Sequence, residues 1–281
     1  MITNNPMQLK AYIKKIAVEK NISAQQVMQN YMLERLLERI SLSEFKYNFI
    51  FKGGFLISAI VGLDYRSTMD LDTTVKGVTL TKEKILGIFN EICKIKILDD
   101  IMFEVVKVVD IRETDDYPGL RVSLKANYYP ISVPITVDVT TGDVITPREI
   151  EFSYHLLFSD RTLKILTYNL ETVLAEKIET VLSRNVASTR PRDFYDIYIL
   201  YSLRKQECKK SVLLSALKKT ANKRNSSVYL IDYKEILQEI RSSKELKARW
   251  ENYRLSYDYA KDISFEDTCN VIQLIMDDIE L

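Results

Sequence analysis

Two aspartates one residue apart, Asp70 and Asp72, stand at the start of a predicted strand in Arg66-Ser67-Thr68-Met69-Asp70-Leu71-Asp72. Side chains two positions apart on a strand share a face, about 6.6–7 Å apart along the chain. Two such carboxylates repel one another unless a cation intervenes, and hard oxygen donors of this kind suit magnesium, which also bridges phosphate oxygens. A third acid, Asp138, lies in Ile135-Thr136-Val137-Asp138-Val139, on the face opposite the apolar residues of that predicted strand. Its alternative is a solvent-facing acid on a half-exposed strand. Upstream, Phe51-Lys52-Gly53-Gly54-Phe55 reads as a strand running into a helix through paired glycines. There the backbone can approach a ligand closely and free N–H groups face outward at a positive helix end, an arrangement suited to a triphosphate.

The elements that must position these residues follow from periodicity. Over residues 7–45, Leu9, Ile13 and Ile16 recur at helical spacing, and Ser23-Ala24-Gln25-Gln26 is a capping box opening a second helix. Residues 46–145 are rich in strands, interrupted by an amphipathic helix at 81–95, with Tyr117-Pro118-Gly119 marking a reversal. A short hairpin follows at 152–167, then helices near 170–184, 191–204, 208–221, 232–250 and 264–280. The expected architecture is therefore α/β, with N-terminal helices and a mixed-sheet core over 1–150 and a mostly helical domain over 151–281.

Lys177 stands out on the helix at 170–184. At 100° per residue it falls inside the stripe of Val173, Leu174, Ile178 and Val181, where a lysine is unusual. Either its stem snorkels to a domain edge, or its ammonium reaches into a cleft as a point charge for phosphates. Pro191 fits the first turn of the next helix, so that Asp193 and Asp196 can do no more than complement a helix N-terminus; for Asp196 that reading is preferred.

Composition narrows the chemistry. The 281 residues are 46% hydrophobic and 28% charged, values of an ordinary globular chain, and 40 basic against 39 acidic residues leave a net charge of +1. Any nucleic-acid affinity must then come from a local patch. The run from Arg204 to Arg224, with eight basic residues and one acid, is such a patch or simply a solvated helix face. One histidine, His155, and three scattered cysteines, Cys93, Cys208 and Cys269, argue against a Ser-His-Asp triad, a Cys-His dyad, a zinc cluster or a disulfide framework, and for a cytoplasmic protein. No apolar stretch is long enough for a membrane span or signal region, and none is expected.

The order of these motifs resembles that of the polymerase-beta-like nucleotidyltransferases, and one branch closely: the AbiEii toxins of abortive-infection systems, relatives of the MenT toxins. The resemblance runs through Glu34-Arg35-Leu36-Leu37-Glu38-Arg39-Ile40, Phe51-Lys52-Gly53-Gly54, Arg66 to Asp72, Gly142-Asp143, Ala175-Glu176-Lys177-Ile178 and Arg190-Pro191-Arg192-Asp193-Phe194-Tyr195-Asp196. It implies a polymerase-beta-like core and metal-dependent transfer of a nucleotide from an NTP to an acceptor hydroxyl. In some members the acceptor is the 3′ end of tRNA, and growth stops as a defence against phage. By the same resemblance Asp70, Asp72 and Asp138 hold Mg2+ (or Mn2+), Gly53, Gly54, Arg66 and Thr68 bind the nucleotide, and Lys177 and Asp193 complete the catalytic set. Arg66 equally reads as a buttress of the aspartate pair, and Thr68 as a turn residue or as a hydroxyl phosphorylated when a cognate antitoxin silences the toxin. Rival readings are nucleotidylylation of a protein and a nucleotide-binding module without turnover. DNA is not an expected partner.

Overall fold

The computed structural model describes residues 5–111 and 119–279. The elements, in chain order, are α1 (Pro6–Glu19), α2 (Ala24–Leu42), β1 (Phe49–Lys52), α3 (Gly53–Val61), β2 (Asp70–Val75), α4 (Lys82–Lys94), β3 (Met102–Ile111), β4 (Gly119–Tyr128), β5 (Ile131–Thr141), β6 (Ile150–His155) and β7 (Thr162–Thr167), then the helices α5 (Leu170–Arg184), α6 (Pro191–Arg204), α7 (Lys210–Lys223), α8 (Val228–Ile231), α9 (Tyr233–Ser242), α10 (Lys244–Ser256) and α11 (Phe265–Asp278). Tyr117 and Pro118 of the expected reversal lie outside the described residues. Contacts divide the chain into two units: residues 1–143 with 150–167, and residues 144–149 with 168–281. The chain leaves the first unit after Asp143, returns for the β6–β7 hairpin, and leaves again after Thr167.

The first unit is built on a seven-stranded mixed sheet in the order β3-β4-β5-β2-β1-β7-β6. β2 runs parallel to β5 and β1 parallel to β7, while the other neighbours are antiparallel. Alternation sorts the residues. Phe49, Phe51, Leu71, Val75, Val122, Leu124, Ile135, Val137 and Val139 form a core with Leu9, Ile13, Leu33, Leu37, Ile85, Phe89 and Ile92 from α1, α2 and α4. Lys52, Asp70, Asp72 and Asp138 therefore point to the opposite face. α2 opens with the expected capping box, Gln26 N–H donating to the Ser23 hydroxyl and Ser23 N–H to the Gln26 side chain.

α2 also buries charge that periodicity did not foresee. Arg35 pairs with Glu34 at 2.9 Å and with Glu38 at 2.5 Å, and Arg39 grips Asp99 through two bonds of 2.8 and 2.9 Å while donating to the Ile101 carbonyl. Glu34 accepts the Leu157 N–H at 2.6 Å, and Arg161 reaches Glu38 at 2.7 Å, so this cluster pins the β6–β7 connection. Burial is the main force pushing the Glu34 carboxyl up to about 7, against the pull of Arg35.

The second unit is helical. Residues 144–149 belong to it because Asn169, the N-cap of α5, donates to the Thr146 carbonyl at 2.6 Å, and Thr146 N–H donates to Thr172 Oγ1 at 3.1 Å. The helix expected over 232–250 is two helices. Ser243 has extended geometry (φ −68°, ψ 119°), ending α9, and its hydroxyl accepts from Leu246 N–H to open α10. The indole of Trp250, fully buried, donates to the Ile263 carbonyl.

Candidate active site

In the first unit the glycine pair, the aspartate pair and the strand aspartate come together on the polar face of the sheet. Lys52 pairs with Asp72 across β1–β2, and Asp72 with Asp138 across β2–β5, so the three side chains lie side by side on adjacent strands. Gly53 has φ +65°, and a Cβ there would sit 2.0 Å from Asp72 Oδ2. A Cβ on Gly54 would sit 2.9 Å from Thr68 Oγ1 and 3.0 Å from an Arg66 terminal nitrogen. The pair is glycine because the Asp72 carboxylate, the Thr68 hydroxyl and the Arg66 guanidinium occupy the space of the missing methyl groups. The N-cap of α3, Lys52, makes no side-chain cap, so the first N–H groups of that helix depend on other partners.

The residues before β2 are held from α2. Asn30 donates to the Thr68 carbonyl at 3.0 Å, Gln26 to the Ser67 hydroxyl at 2.7 Å, and Gln29 to the carbonyls of Met69 at 3.1 Å and Pro134 at 2.9 Å. Three buried or half-buried amides thus fix the segment that delivers Asp70. Their role was not legible beforehand, since their partners lie 38 to 105 residues away. Arg66 is 1% exposed and donates to the Ser67 carbonyl, the placement of a buttress beneath the loop. Asp70 is exposed, whereas Asp72 and Asp138 are half-buried.

Two further groups join this face. Lys52 donates to Thr140 Oγ1 at 2.8 Å and pairs with Asp143. Arg121, from β4, binds Asp138 in a two-pronged pair of 2.7 and 2.8 Å. The hydrogen bonds and charge of Asp138, with smaller contributions from Asp70 and Asp72, hold the Arg121 guanidinium pKa above its ordinary value. Asp70, Asp72 and Asp138 are a donor set that suits a hard divalent ion, with the carboxylate oxygens of Asp138 turned toward Arg121. Among the described residues no three acidic, histidine or cysteine side chains converge closely enough to form a ready-made metal cage.

The second unit carries the other predicted residues. Lys177, on α5, projects between two acids of α6, 2.5 Å from Asp193 and 2.8 Å from Asp196, and Arg190 reaches Asp193 at 3.2 Å. Burial works against the ammonium, but the charges of Asp196 and Asp193 outweigh it and raise the Lys177 pKa. Asp196 is fully buried, so it does more than decorate a helix N-terminus: it is the second carboxylate of this triad. The snorkelling alternative for Lys177 fails here, because its head is engaged by a buried pair rather than by solvent.

A family model described as "Nucleotidyl transferase AbiEii toxin, Type IV TA system" matches residues 35–271. The chain belongs to the AbiEii nucleotidyltransferase toxin family. The matched span includes Lys52-Gly53-Gly54, the aspartate pair, Asp138 and the Lys177 triad. Two solved structures share the fold of this AbiEii-family chain. One, from H. pylori and described as a nucleotidyltransferase, has 14% identity and a TM-score of 0.52, covering 92% of this chain and 98% of the other. The second, JHP933 from Helicobacter pylori, has 15% identity and a TM-score of 0.51, covering 92% and 94%. No curated protein matches the chain. The mixed sheet with its α/β architecture is accordingly that of a nucleotidyltransferase, and among the described residues no helix is long and apolar enough to cross a membrane.

Proposed function

We propose that this toxin-type nucleotidyltransferase transfers a nucleotide from an NTP to a hydroxyl at the 3′ end of tRNA, blocking growth as part of an antitoxin-controlled defence against phage. The observation that carries the chemistry is the packing of Gly53 against Asp72, which sets the start of α3 beside an aspartate in register with Asp138. N–H groups at the start of α3 would receive the triphosphate, where the helix end favours negative charge. Thr68 and Arg66, beneath Gly54, would fix the height of that loop and the orientation of Asp70 and Asp72. Asp70 and Asp72, with Asp138 once freed from Arg121, would hold Mg2+ or Mn2+, and a bound divalent ion would neutralise charge on the phosphate oxygens. The acceptor hydroxyl gives up its proton to solvent and attacks the α-phosphorus in line, the bond to the β-phosphate oxygen breaks, and pyrophosphate leaves. Lys177 would serve as a cation for phosphate oxygens, its charge maintained and its position set by Asp193 and Asp196.

The test is incubation of the purified protein with total tRNA, magnesium and each α-labelled NTP in turn, beside Asp70→Asn/Asp72→Asn. Label on RNA that the double variant fails to transfer is the expected result and names the nucleotide. Label on a protein, or on nothing, refutes the tRNA assignment.

A further inference from the structure

An aromatic group in the helical unit adjoins the Lys177 triad. Tyr195, one turn into α6 and fully buried, contacts the Tyr259 ring at a centroid distance of 4.9 Å. Tyr259 stacks on Tyr257 at 5.3 Å with an interplanar angle of 23°, and Tyr257 meets Tyr253 at 4.8 Å. Tyr253 and Trp250 are buried core, but Tyr257 and Tyr259 keep part of their rings in solvent. The exposed Arg192 lies 6.0 Å from the centroid of the Tyr257 ring and donates to its hydroxyl at 3.3 Å. Arg192 immediately precedes Asp193, which binds Lys177. A pair of stacked rings, backed by Tyr195 and with a guanidinium over one of them, thus stands one residue from Asp193, the acid that positions Lys177.

Half-exposed tyrosines with an arginine beside them are the elements that bind unpaired bases: every base has a π-face to stack, and the arginine adds charge for the phosphate and a planar cation for the base. Tyr195 and Tyr201 of α6 are 0% and 5% exposed, and neither offers a face for this purpose. The basic run from 204 to 224 is a weaker candidate for the same work, because four of its eight cations are engaged by acids of the same unit. Arg204 pairs with Glu207, Lys205 and Lys210 with Asp278, and Arg224 with Glu176 and Glu179.

We propose that Tyr257, Tyr259 and Arg192 form a stacking platform for the unpaired bases of the RNA acceptor strand. The proposal rests on the reading that the acceptor is RNA, and it names the feature recognised: single-stranded bases rather than duplex. Tyr257→Ala/Tyr259→Ala is expected to weaken binding of a fluorescent single-stranded RNA dodecamer by roughly 5- to 150-fold per stacked base lost, read by anisotropy. Tyr257→Phe keeps the ring and should stay within about twofold. The same strand in a blunt duplex should bind more weakly than the single strand and be indifferent to the substitutions. Emission of Trp250 checks that the variants fold, and Tyr257→Leu, which retains apolar bulk against Tyr253, replaces the double variant if it does not. In the tRNA-labelling assay the alanine variant should raise KM for tRNA far more than it lowers kcat. Unchanged RNA binding and KM in the alanine and leucine variants, or a wild-type protein that prefers duplex or binds no RNA, overturns the platform. Tyr257-dependent binding of single strands without label transfer to RNA would leave the platform standing and refute the tRNA reading instead. Normal tRNA labelling with an unaltered KM in the variants would do the reverse.

Discussion

Replacing Gly53 with alanine adds a single methyl group, and two separable costs follow from where it would sit. The first is conformational: φ is +65°, and a residue with a Cβ in that region costs about 1–2 kcal/mol. The second is a collision, since the methyl would lie 2.0 Å from Asp72 Oδ2 and 2.7 Å from its Cγ. To restore ordinary contact the carboxylate must retreat by roughly 1 Å or more, and misplacement on the order of 1 Å in a catalytic array costs about a hundredfold in rate. Gly77→Ala separates the two. Its φ is +73°, but its Cβ would meet nothing closer than Asn48 Nδ2 at 3.5 Å, an ordinary contact. Both variants should therefore lose the conformational part, at roughly 2–4 °C of melting temperature per kcal/mol, and Gly53→Ala the cost of the collision besides. Only Gly53→Ala should lose about two orders of magnitude in kcat for label transfer from the NTP. Should Gly53→Ala retain activity within a few-fold of Gly77→Ala, the assignment of Asp72 to the reacting centre would be refuted.

Other perturbations follow from the ion pairs. Lys177→Met strands two buried carboxylates, and removing one partner of a buried network costs about 3–5 kcal/mol; denaturant unfolding should show that loss at pH 7 and a partial recovery in mild acid, as the stranded acids take up protons. In the wild type the raised Lys177 pKa makes its contribution complete below about 10.5, the unfolded value, and lost as pH climbs through the folded one, so above neutral pH the two unfolding curves should stay apart until strong alkali. Glu34 behaves oppositely to a salt-bridged surface acid: its folded pKa of about 7 lies above its unfolded value, so the native state holds the extra proton and stability declines as pH rises from about 4.5 to about 7. Glu34→Gln, which retains an acceptor for Leu157 N–H, should flatten that decline in melting temperature measured across the interval. Arg121→Met frees both oxygens of Asp138, and calorimetric titration should then show several-fold tighter Mn2+ binding, whereas unchanged or weaker binding would count against Asp138 as a ligand.

Much of the fold was readable because it rests on local rules. The capping box at Ser23, the helix opened by Thr81 and the alternation that separates Asp138 from Val137 all act over a few residues. The glycine and aspartate pairs were readable for the same reason, each being contiguous, and Lys177 betrayed itself by breaking an apolar stripe. What escaped depends on partners far away in the chain. Nothing near Asp196 announces that it faces Lys177, 19 residues earlier, and nothing near Lys52 announces Asp143. Glu34, Arg35, Glu38 and Arg39 look like the solvated face of α2, yet they are buried because the β6–β7 connection and Asp99 cover them. Conversely, the charge run from 204 to 224 is offset in part by Glu176, Glu179 and Asp278, which the fold brings beside it. The break at Ser243 was missed because serine is tolerated inside a helix and only the capping bond to Leu246 shows which way it was used.

The parallel pairing of Ile50 with Leu166 bears on when such a toxin becomes dangerous. β1, the strand that presents Gly53, acquires its second neighbour only from a segment made more than a hundred residues later, and β2 waits for β5 in the same way. At about 5–20 residues per second, a chain emerging from the ribosome spends several seconds with these motifs complete in sequence but without the strands that frame them. Chain order thus acts as a delay: the glycine and aspartate motifs of the nascent chain gain the strands that frame them only when the sheet closes.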